Sequence, residues 1–178
     1  MRRGTTGVCR VGRPKTRNPP YNCHVRTVST WLDEYGECHR NPVNERLHFI
    51  CVPAIVLSVI GLLSSIPVPR IWEGIVGLNW ATLVVALALL YYLVLSWSLA
   101  AGVLACFAVM FLMIHFLGTL PFPLWATSLV IFVVAWIGQG IGHAIEGRKP
   151  SFFKDVQFLL IGPLWLLAAA YRRVGLAY

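Results

Sequence analysis

The sequence predicts an all-α, polytopic integral membrane protein built as a bundle of hydrophobic helices. Of its 178 residues, 57% are hydrophobic and only 12% are charged, whereas in soluble domains roughly a quarter of all residues are charged. Between residues 71 and 146 the chain has no lysine or arginine, and its two carboxylates there, Glu73 and Glu146, stand at the ends of the stretch. Because a charge in the middle of hydrocarbon is costly, this pattern is typical of membrane-spanning segments.

Four apolar runs are long enough to cross the hydrocarbon, which takes roughly 20 residues of helix. They are bounded by prolines, polar links or charges, and we place them at about 48–66, 75–95, 99–117 and 122–143. A fifth run, at 156–171, is shorter and carries a Gly-Pro pair in its middle. We therefore expect four transmembrane helices plus a short fifth hydrophobic helix that is re-entrant, interfacial or packed on the bundle.

The polar segment before the first span predicts two helix starts. Residues 29–38 read as a short amphipathic helix on the membrane surface, with Thr30 and Asp33 in capping-box-like spacing. Asn41 can cap the next helix, whose first residue would be Pro42, since proline at that position gives up only an N–H that has no helical partner. The first membrane helix should therefore run inward from about Pro42.

The positive charge of the chain is concentrated at its N-terminus. Seven of the fifteen basic residues lie between residues 2 and 26, within a net charge of +8. Residues 1–28 mix Arg, Gly, Pro and Thr without apolar periodicity, which predicts a disordered basic tail ahead of a single membrane domain at 29–178. We interpret the charge as a signal of membrane topology and predict no nucleic-acid partner.

The orientation follows from the basic residues that flank the spans. They precede the first span and follow the fourth, as Arg40, Arg46, Arg148, Lys149 and Lys154, whereas the loops of the other face carry only Arg70. The positive-inside rule then predicts a cytoplasmic N-terminus and a cytoplasmic loop after the fourth span, which agrees with an even number of spans. The host would be a bacterial inner membrane or the endoplasmic reticulum, and the oligomeric state stays open.

Two polar segments lie on this predicted cytoplasmic face and bring several candidate functional residues together: His39, Asn44, His48, Gln139, His143 and Glu146. Asn44 and His48 are four residues apart, as are Gln139 and His143, so each pair shares one helix face. Two or three neutral imidazoles with a carboxylate and open positions suit oxygen chemistry at Fe(II). Taken singly, such residues at an interface more often cap helices, snorkel or bind headgroups.

The remaining histidines do not join this cluster. His115 lies near the far end of the third span, across the membrane, and we interpret it as a packing or interfacial residue. His24 lies in the predicted tail. Gly138 and Gly142 are four residues apart, a spacing that indicates close helix packing rather than chemistry.

At the two polar segments the chain resembles a membrane family, formerly a domain of unknown function, whose characterised yeast member is a 2-hydroxy fatty acid dioxygenase of phytosphingosine degradation. The first motif is an aromatic residue, then His-Xaa-Asn-Pro-Xaa-Asn-Xaa-Xaa-Xaa-His and a proline: Tyr35, His39, Asn41, Pro42, Asn44, His48 and Pro53. The second is Trp136, Gln139, Gly142, His143, Glu146, Pro150, Asp155 and Pro163. The resemblance covers about residues 31–167, with departures from the usual family residues at Gly140 and Ser151.

The resemblance implies an Fe(II)-dependent reaction with O2 that shortens a long-chain 2-hydroxy fatty acid by one carbon. It implies metal ligands at His39, His48 and His143, supporting or completing residues at Glu146, Asn44 and Gln139, and cations for the substrate carboxylate at Arg40, Arg46 and Arg148. Asn44 and Gln139 would supply hydrogen bonds that fix the imidazoles, and Glu146 would complete or orient the set.

Two other classes of function stay open on the residues. One is an electron carrier, in which His48 and His143 on facing helices would bind a b-type haem. The other is a non-enzymatic lipid-binding or scaffold protein, for which the polar cluster would only contact headgroups.

Overall fold

The computed structural model describes residues 27–36, 39–72, 74–147 and 157–176, and the regular secondary structure of these residues is entirely helical. The helices are α1 (Val28–Gly36), α2 (Pro42–Ser64), α3 (Trp80–Leu95), α4 (Trp97–Leu117), α5 (Leu124–Glu146) and α6 (Gln157–Arg173), with one 3-10 turn at Arg70–Trp72. The all-α class is thus confirmed. Residues 1–26 of the predicted tail lie outside the described part of the chain.

Three helices of the described residues are long and apolar enough to cross a membrane, namely α2, α4 and α5. They correspond to the first, third and fourth predicted spans: α4 contains all of 99–117, α2 ends two residues before the predicted end of 48–66, and α5 begins two residues after the predicted start of 122–143. α2 begins at Pro42 as expected, because the Asn41 side chain accepts a hydrogen bond from the backbone N–H of Val43 at 2.9 Å. Large apolar side chains on these helices are exposed, for example Leu112 (69%) and Val130 (63%), as suits contact with hydrocarbon.

The second predicted span is shorter than expected. α3 has 16 residues and begins at Trp80, not at residue 75. Asn79 ends the preceding loop with a reciprocal capping box: its side chain accepts from the N–H of Thr82 at 3.0 Å, and the Thr82 hydroxyl accepts from the N–H of Asn79 at 2.9 Å. The apolar residues just before it form turns instead of helix.

α1 forms close to its predicted position, at Val28–Gly36 rather than 29–38, and Thr30 lies inside it rather than at its start. The hydroxyl of Thr27 accepts a hydrogen bond from the Thr30 N–H at 3.4 Å, so the N-terminal cap lies three residues earlier than the spacing of Thr30 and Asp33 indicated.

The fifth hydrophobic run, α6, packs across one end of the bundle. Near its start, Phe158 contacts Trp31 of α1, with ring centroids 5.6 Å apart, and the Leu160 carbonyl accepts a hydrogen bond from the Tyr92 hydroxyl near the end of α3 at 2.8 Å. Near its end, the Tyr171 hydroxyl donates to the Ser98 carbonyl at the start of α4 at 3.2 Å, and Arg173 pairs with Glu45 at the start of α2 at 3.4 Å. All of these contacts lie at the same end of the bundle. The α6 side chains Ile161 and Leu164 are fully buried. The segment packs on the bundle, and its re-entrant or interfacial placement in the membrane stays a prediction.

α2 and α5 approach each other closely through small residues. A Cβ atom added at Gly142 would collide with the side-chain oxygen of Asn44, and one added at Gly138 would lie 2.6 Å from the Cys51 sulfur. The predicted role of these two glycines in close packing is confirmed. This contact brings the start of α2 and the end of α5, with their polar residues, to the same place.

Candidate metal centre

The structure brings the three histidines of the polar segments together. His39 comes from the connection between α1 and α2, His48 from the second turn of α2, and His143 from the last turn of α5. One ring nitrogen of each lies within 4.8 Å of the others. All three side chains are withdrawn from solvent, with exposed fractions of 6%, 1% and 8%. Such a group can offer a metal ion three nitrogen ligands.

Hydrogen bonds to the backbone fix two of the imidazoles. His39 Nδ1 donates to the carbonyl oxygen of Tyr35 at 2.7 Å, and His48 Nδ1 donates to that of Asn44 at 2.9 Å. Because a carbonyl can only accept, these bonds assign the ring proton to Nδ1 and leave a lone pair on each Nε2.

The two Nε2 atoms face each other at 3.0 Å. Two lone pairs at this distance repel each other, and a shared cation removes the repulsion. Metal-binding histidines commonly donate their other ring N–H to a carbonyl in this way. The donor set therefore fits a bound transition-metal ion.

The surroundings of His39 keep its ring neutral and in place. Burial, and to a lesser extent the neighbouring His48, lower the pKa of His39 to about 4. The imidazole is therefore neutral at neutral pH, which is the form that binds a metal. Tyr35 stacks on the ring with centroids 4.3 Å apart and an interplanar angle of 12°. Trp165 of α6 lies 5.6 Å away, between centroids.

Glu146 holds the segment that carries His39. Its Oε1 accepts a hydrogen bond from the backbone N–H of Arg40 at 3.2 Å, and its Oε2 accepts from the N–H of Asn41 at 2.8 Å and from Asn44 Nδ2 at 3.2 Å. It does not belong to the group of ligand atoms found among the described residues. Of the two roles expected for Glu146, the geometry favours orienting the ligands over completing the set.

The two predicted amides differ from their expected contacts. Asn44 is fully buried. Its backbone carbonyl, and not its side chain, accepts the hydrogen bond from the His48 ring, while its side-chain amide donates to Glu146. Gln139 is 7% exposed, and its amide oxygen accepts no hydrogen bond within the described part of the chain.

Two of the three predicted cations, Arg40 and Arg46, lie outside the centre. Arg40 and Arg46 are exposed and do not line the cavity beside the histidines. Arg148 lies outside the described residues. His115 is exposed on α4, away from the cluster.

A cavity of about 490 Å³ extends from the histidines into the bundle, within the roughly 300–1,000 Å³ typical of ligand sites. All three histidines line it at one end, together with Tyr35 and Gln139. Its other walls are mostly apolar side chains from α2, α3, α4 and α6, and no charged side chain of the described residues contributes to them.

The cavity is deep. Along α2 its lining runs from His48 to Leu63, which corresponds to about 22 Å at roughly 1.5 Å per helical residue. The residue spacing predicted the polar end of the cavity. It did not predict the apolar walls or the contact of Trp165 with His39, because both depend on how α6 crosses the bundle. The short length of the run and its Gly-Pro pair at 162–163 were the sequence signals that this segment differs from the spans.

The comparisons with known proteins agree with the motifs. Residues 25–174 match the family described as Mpo1-like, 2-hydroxy-palmitic acid dioxygenase Mpo1-like. The chain is 31% identical over 147 residues to the 2-hydroxy-palmitic acid dioxygenase MPO1 of Saccharomyces cerevisiae, which covers 81% of this chain and 79% of the yeast protein. No solved structure matches the chain. The chain therefore belongs to the Mpo1-like family, as the two motifs indicated.

Proposed function

We propose that the protein is an iron-dependent membrane dioxygenase that shortens long-chain 2-hydroxy fatty acids by one carbon. The observation that carries the proposal is a buried cluster of three imidazoles, with ligand nitrogens within 4.8 Å, at the end of a deep apolar cavity. The yeast relative is named for action on 2-hydroxy-palmitic acid, an acid with the polar head and long apolar tail that such a cavity suits.

The apolar walls would bind the acyl tail. Each methylene transferred from water to an apolar site contributes about 0.8 kcal/mol. Contacts between a long acyl chain and the apolar walls would therefore supply most of the binding free energy, and the acid group would lie at the histidines. The lack of charged residues among the described lining residues supports this orientation.

His39, His48 and His143 would hold the iron and leave coordination positions free, and the bound iron would supply the activation of O2 and a site for the acid group. The protein's own residues prepare this centre. The carbonyls of Tyr35 and Asn44 keep the Nε2 atoms free of protons. The cover of α6 and the apolar walls would keep bulk water away from the reacting atoms.

The proposed reaction balances without a further reductant. One 2-hydroxy acid and one O2 give one CO2, one water and one fatty acid that is one carbon shorter. The bond between C1 and C2 breaks, C2 is oxidised from an alcohol to a carboxylic acid, C1 leaves as CO2, and O2 accepts the four electrons.

We also propose that α2, α3, α4 and α5 all cross the membrane, with the histidines on the cytoplasmic side. α3 has 16 residues, or about 24 Å of helix, against roughly 30 Å of hydrocarbon. Local thinning of the bilayer or the apolar residues just before α3 would make up the difference. Labelling with a membrane-impermeant maleimide in a cysteine-free background should modify Arg40→Cys from the cytoplasmic side and Thr119→Cys from the other.

The test of the reaction is anaerobic purification, loading with Fe(II), and analysis of 2-hydroxypalmitic acid and its products by mass spectrometry. We expect pentadecanoic acid to form as the substrate disappears, while palmitic acid, which has no hydroxyl, is left unchanged. If no 2-hydroxy acid of any chain length is consumed and no metal is bound, the dioxygenase proposal is wrong.

The geometry argues against the two other classes. His48 and His143 have ring centroids 5.0 Å apart, with His39 in contact with both, which leaves little room for a haem between them. A Soret band in the purified protein would support a haem instead. The burial of all three rings also differs from the exposed position that headgroup contact requires.

A further inference from the structure

Gln139 is a polar side chain of the cavity wall that the proposed reaction has not used. It lies on α5 one turn before His143 and on the same helix face. Its side chain lines the cavity and is 7% exposed, and its amide oxygen accepts no hydrogen bond from the residues that the structure describes. This oxygen is itself buried, and a buried acceptor without a donor is costly. A turn of the terminal amide, whose last torsion is broad, would bring the oxygen to the cavity, where a ligand that supplies a donor would satisfy it.

The other side chains of the cavity limit which group of a ligand could donate to the Gln139 amide oxygen. Among the described residues that line the cavity, Gln139 is the only amide or carboxylate side chain. Tyr92, further along the cavity, already donates its hydroxyl proton to the Leu160 carbonyl at 2.8 Å. An uncharged amide oxygen accepts a hydrogen bond from a neutral hydroxyl, whereas a carboxylate group of a ligand has no proton to donate at neutral pH.

We propose that Gln139 accepts a hydrogen bond from the 2-hydroxyl of the bound fatty acid and thereby selects 2-hydroxy acids over unsubstituted ones. This inference rests on the proposed function, which places the acid group at the histidines. One helical turn, about 5.4 Å, separates Gln139 from His143, and the 2-hydroxyl is on the carbon next to the carboxyl group. An acid without the hydroxyl would leave the amide oxygen unpaired, which is the physical basis of discrimination by a polar pocket group.

The test measures binding to the metal-free protein, because an iron that the carboxylate and hydroxyl can both bind would itself favour 2-hydroxy acids. After treatment with a chelator, the affinities for 2-hydroxypalmitic acid and palmitic acid are measured in wild type and in Gln139→Leu. We expect wild type to prefer the hydroxy acid about tenfold, the size of one net hydrogen bond. In Gln139→Leu the ratio should fall to about one through weaker binding of the hydroxy acid, with little change for palmitic acid.

Two further measurements keep the result decisive if the leucine variant folds poorly. Gln139→Met has a similar volume and only a weak acceptor, and should show the same loss of preference. Wild type should bind 2-fluoropalmitic acid, which has no hydroxyl proton, no better than palmitic acid. The inference is overturned if wild type binds the fluoro and hydroxy acids equally, or if a folded variant keeps the wild-type ratio.

Failure of this inference differs from failure of the proposed function. If iron-loaded wild type consumes 2-hydroxypalmitic acid but the metal-free ratio does not depend on Gln139, only the role of Gln139 is wrong. If wild type consumes none, the dioxygenase proposal fails, and a ratio that depends on Gln139 would still assign hydroxyl recognition to this residue.

Discussion

At the residue scale, the imidazole rings are prepared by groups that are themselves fixed by helix geometry. His48 donates to the carbonyl four residues earlier in its own helix, and His39 donates to the carbonyl four residues earlier at the end of α1. Preparing ligands in advance in this way reduces the cost of ordering them when a metal binds.

Alanine substitutions of His39, His48 and His143 should each remove most of the bound iron, because each removes one of three ligands. His115→Ala is the matched control, since this exposed histidine of α4 lies away from the centre and should leave the iron content unchanged. The measurement is iron per chain by elemental analysis after desalting. Wild-type iron content in any one of the three cluster variants would remove that histidine from the ligand set.

Glu146→Ala should weaken metal binding about 10- to 100-fold without removing a ligand, because loss of an orienting partner typically has this effect. The carboxylate accepts three hydrogen bonds from the segment around Arg40, Asn41 and Asn44, and these would be lost. Glu45→Ala is the control, because Glu45 forms an exposed ion pair with Arg173 at 3.4 Å, and such pairs contribute little. Titration of the apoprotein with Fe(II) measures both affinities, and equal values for Glu146→Ala and wild type would contradict the orienting role.

Much of the centre could be predicted from residue spacing. The intervals between Asn44 and His48 and between Gln139 and His143 correctly put each pair on one face, and Asn41 with Pro42 marked the helix start. The partner of each side chain could not be predicted in this way, since a one-turn spacing does not distinguish a backbone carbonyl from a side-chain amide. The place of Arg40 and Arg46 outside the cavity depends on the path of the segment that Glu146 holds.

At the scale of elements, the contact of α2 with α5 sets the distance between the two ligand-bearing segments. Gly142 lies against Asn44, and Gly138 against Cys51, so the helices touch where small residues allow it. The spacing of the two glycines predicted close helix packing, but it did not identify α2 as the partner helix. The sequence did not predict the direction of α6, because a short apolar run with a Gly-Pro pair suits several arrangements.

Gly142→Ala should destabilise the protein by about 1–3 kcal/mol, the usual effect of adding a methyl group to a close-packed contact, and should lower iron binding by moving α2. Gly140→Ala is the matched control two residues away, where an added Cβ meets no atom within 4 Å. That variant should be neutral or stabilised by roughly 0.5–1 kcal/mol, since alanine suits a helix better than glycine. Unfolding in detergent followed by circular dichroism compares the two, and equal stability would contradict the close contact.

At the scale of the whole molecule, the bundle and its cover form one deep apolar site that ends at the histidines. α6 lies across the end of the bundle where the cluster is found, and α2, α3 and α4 supply the walls below it. A cavity of this form explains why a metal centre would be built inside apolar helices, since it joins a polar reacting group to a long hydrocarbon tail.

Met110→Trp should shift the preference toward shorter acids, because Met110 lines the cavity on α4, about 20 Å of helix beyond the start of α4 at the histidine end. Loss of about two buried methylenes would weaken binding of the long acid roughly tenfold, with little effect on short acids. Leu112→Trp is the control, since Leu112 is 69% exposed on the outer surface. Affinities for a series of 2-hydroxy acids measure the shift, and an unchanged series in Met110→Trp would place the tail elsewhere.

The most direct test of the central claim is the consumption of O2 by iron-loaded protein given 2-hydroxypalmitic acid, measured for wild type and His48→Ala side by side. We expect wild type to consume one O2 for each acid lost, and His48→Ala to stay at the background rate. Intact acid in the presence of iron-loaded wild type, or equal consumption by the two proteins, would contradict a dioxygenase centre at these three histidines.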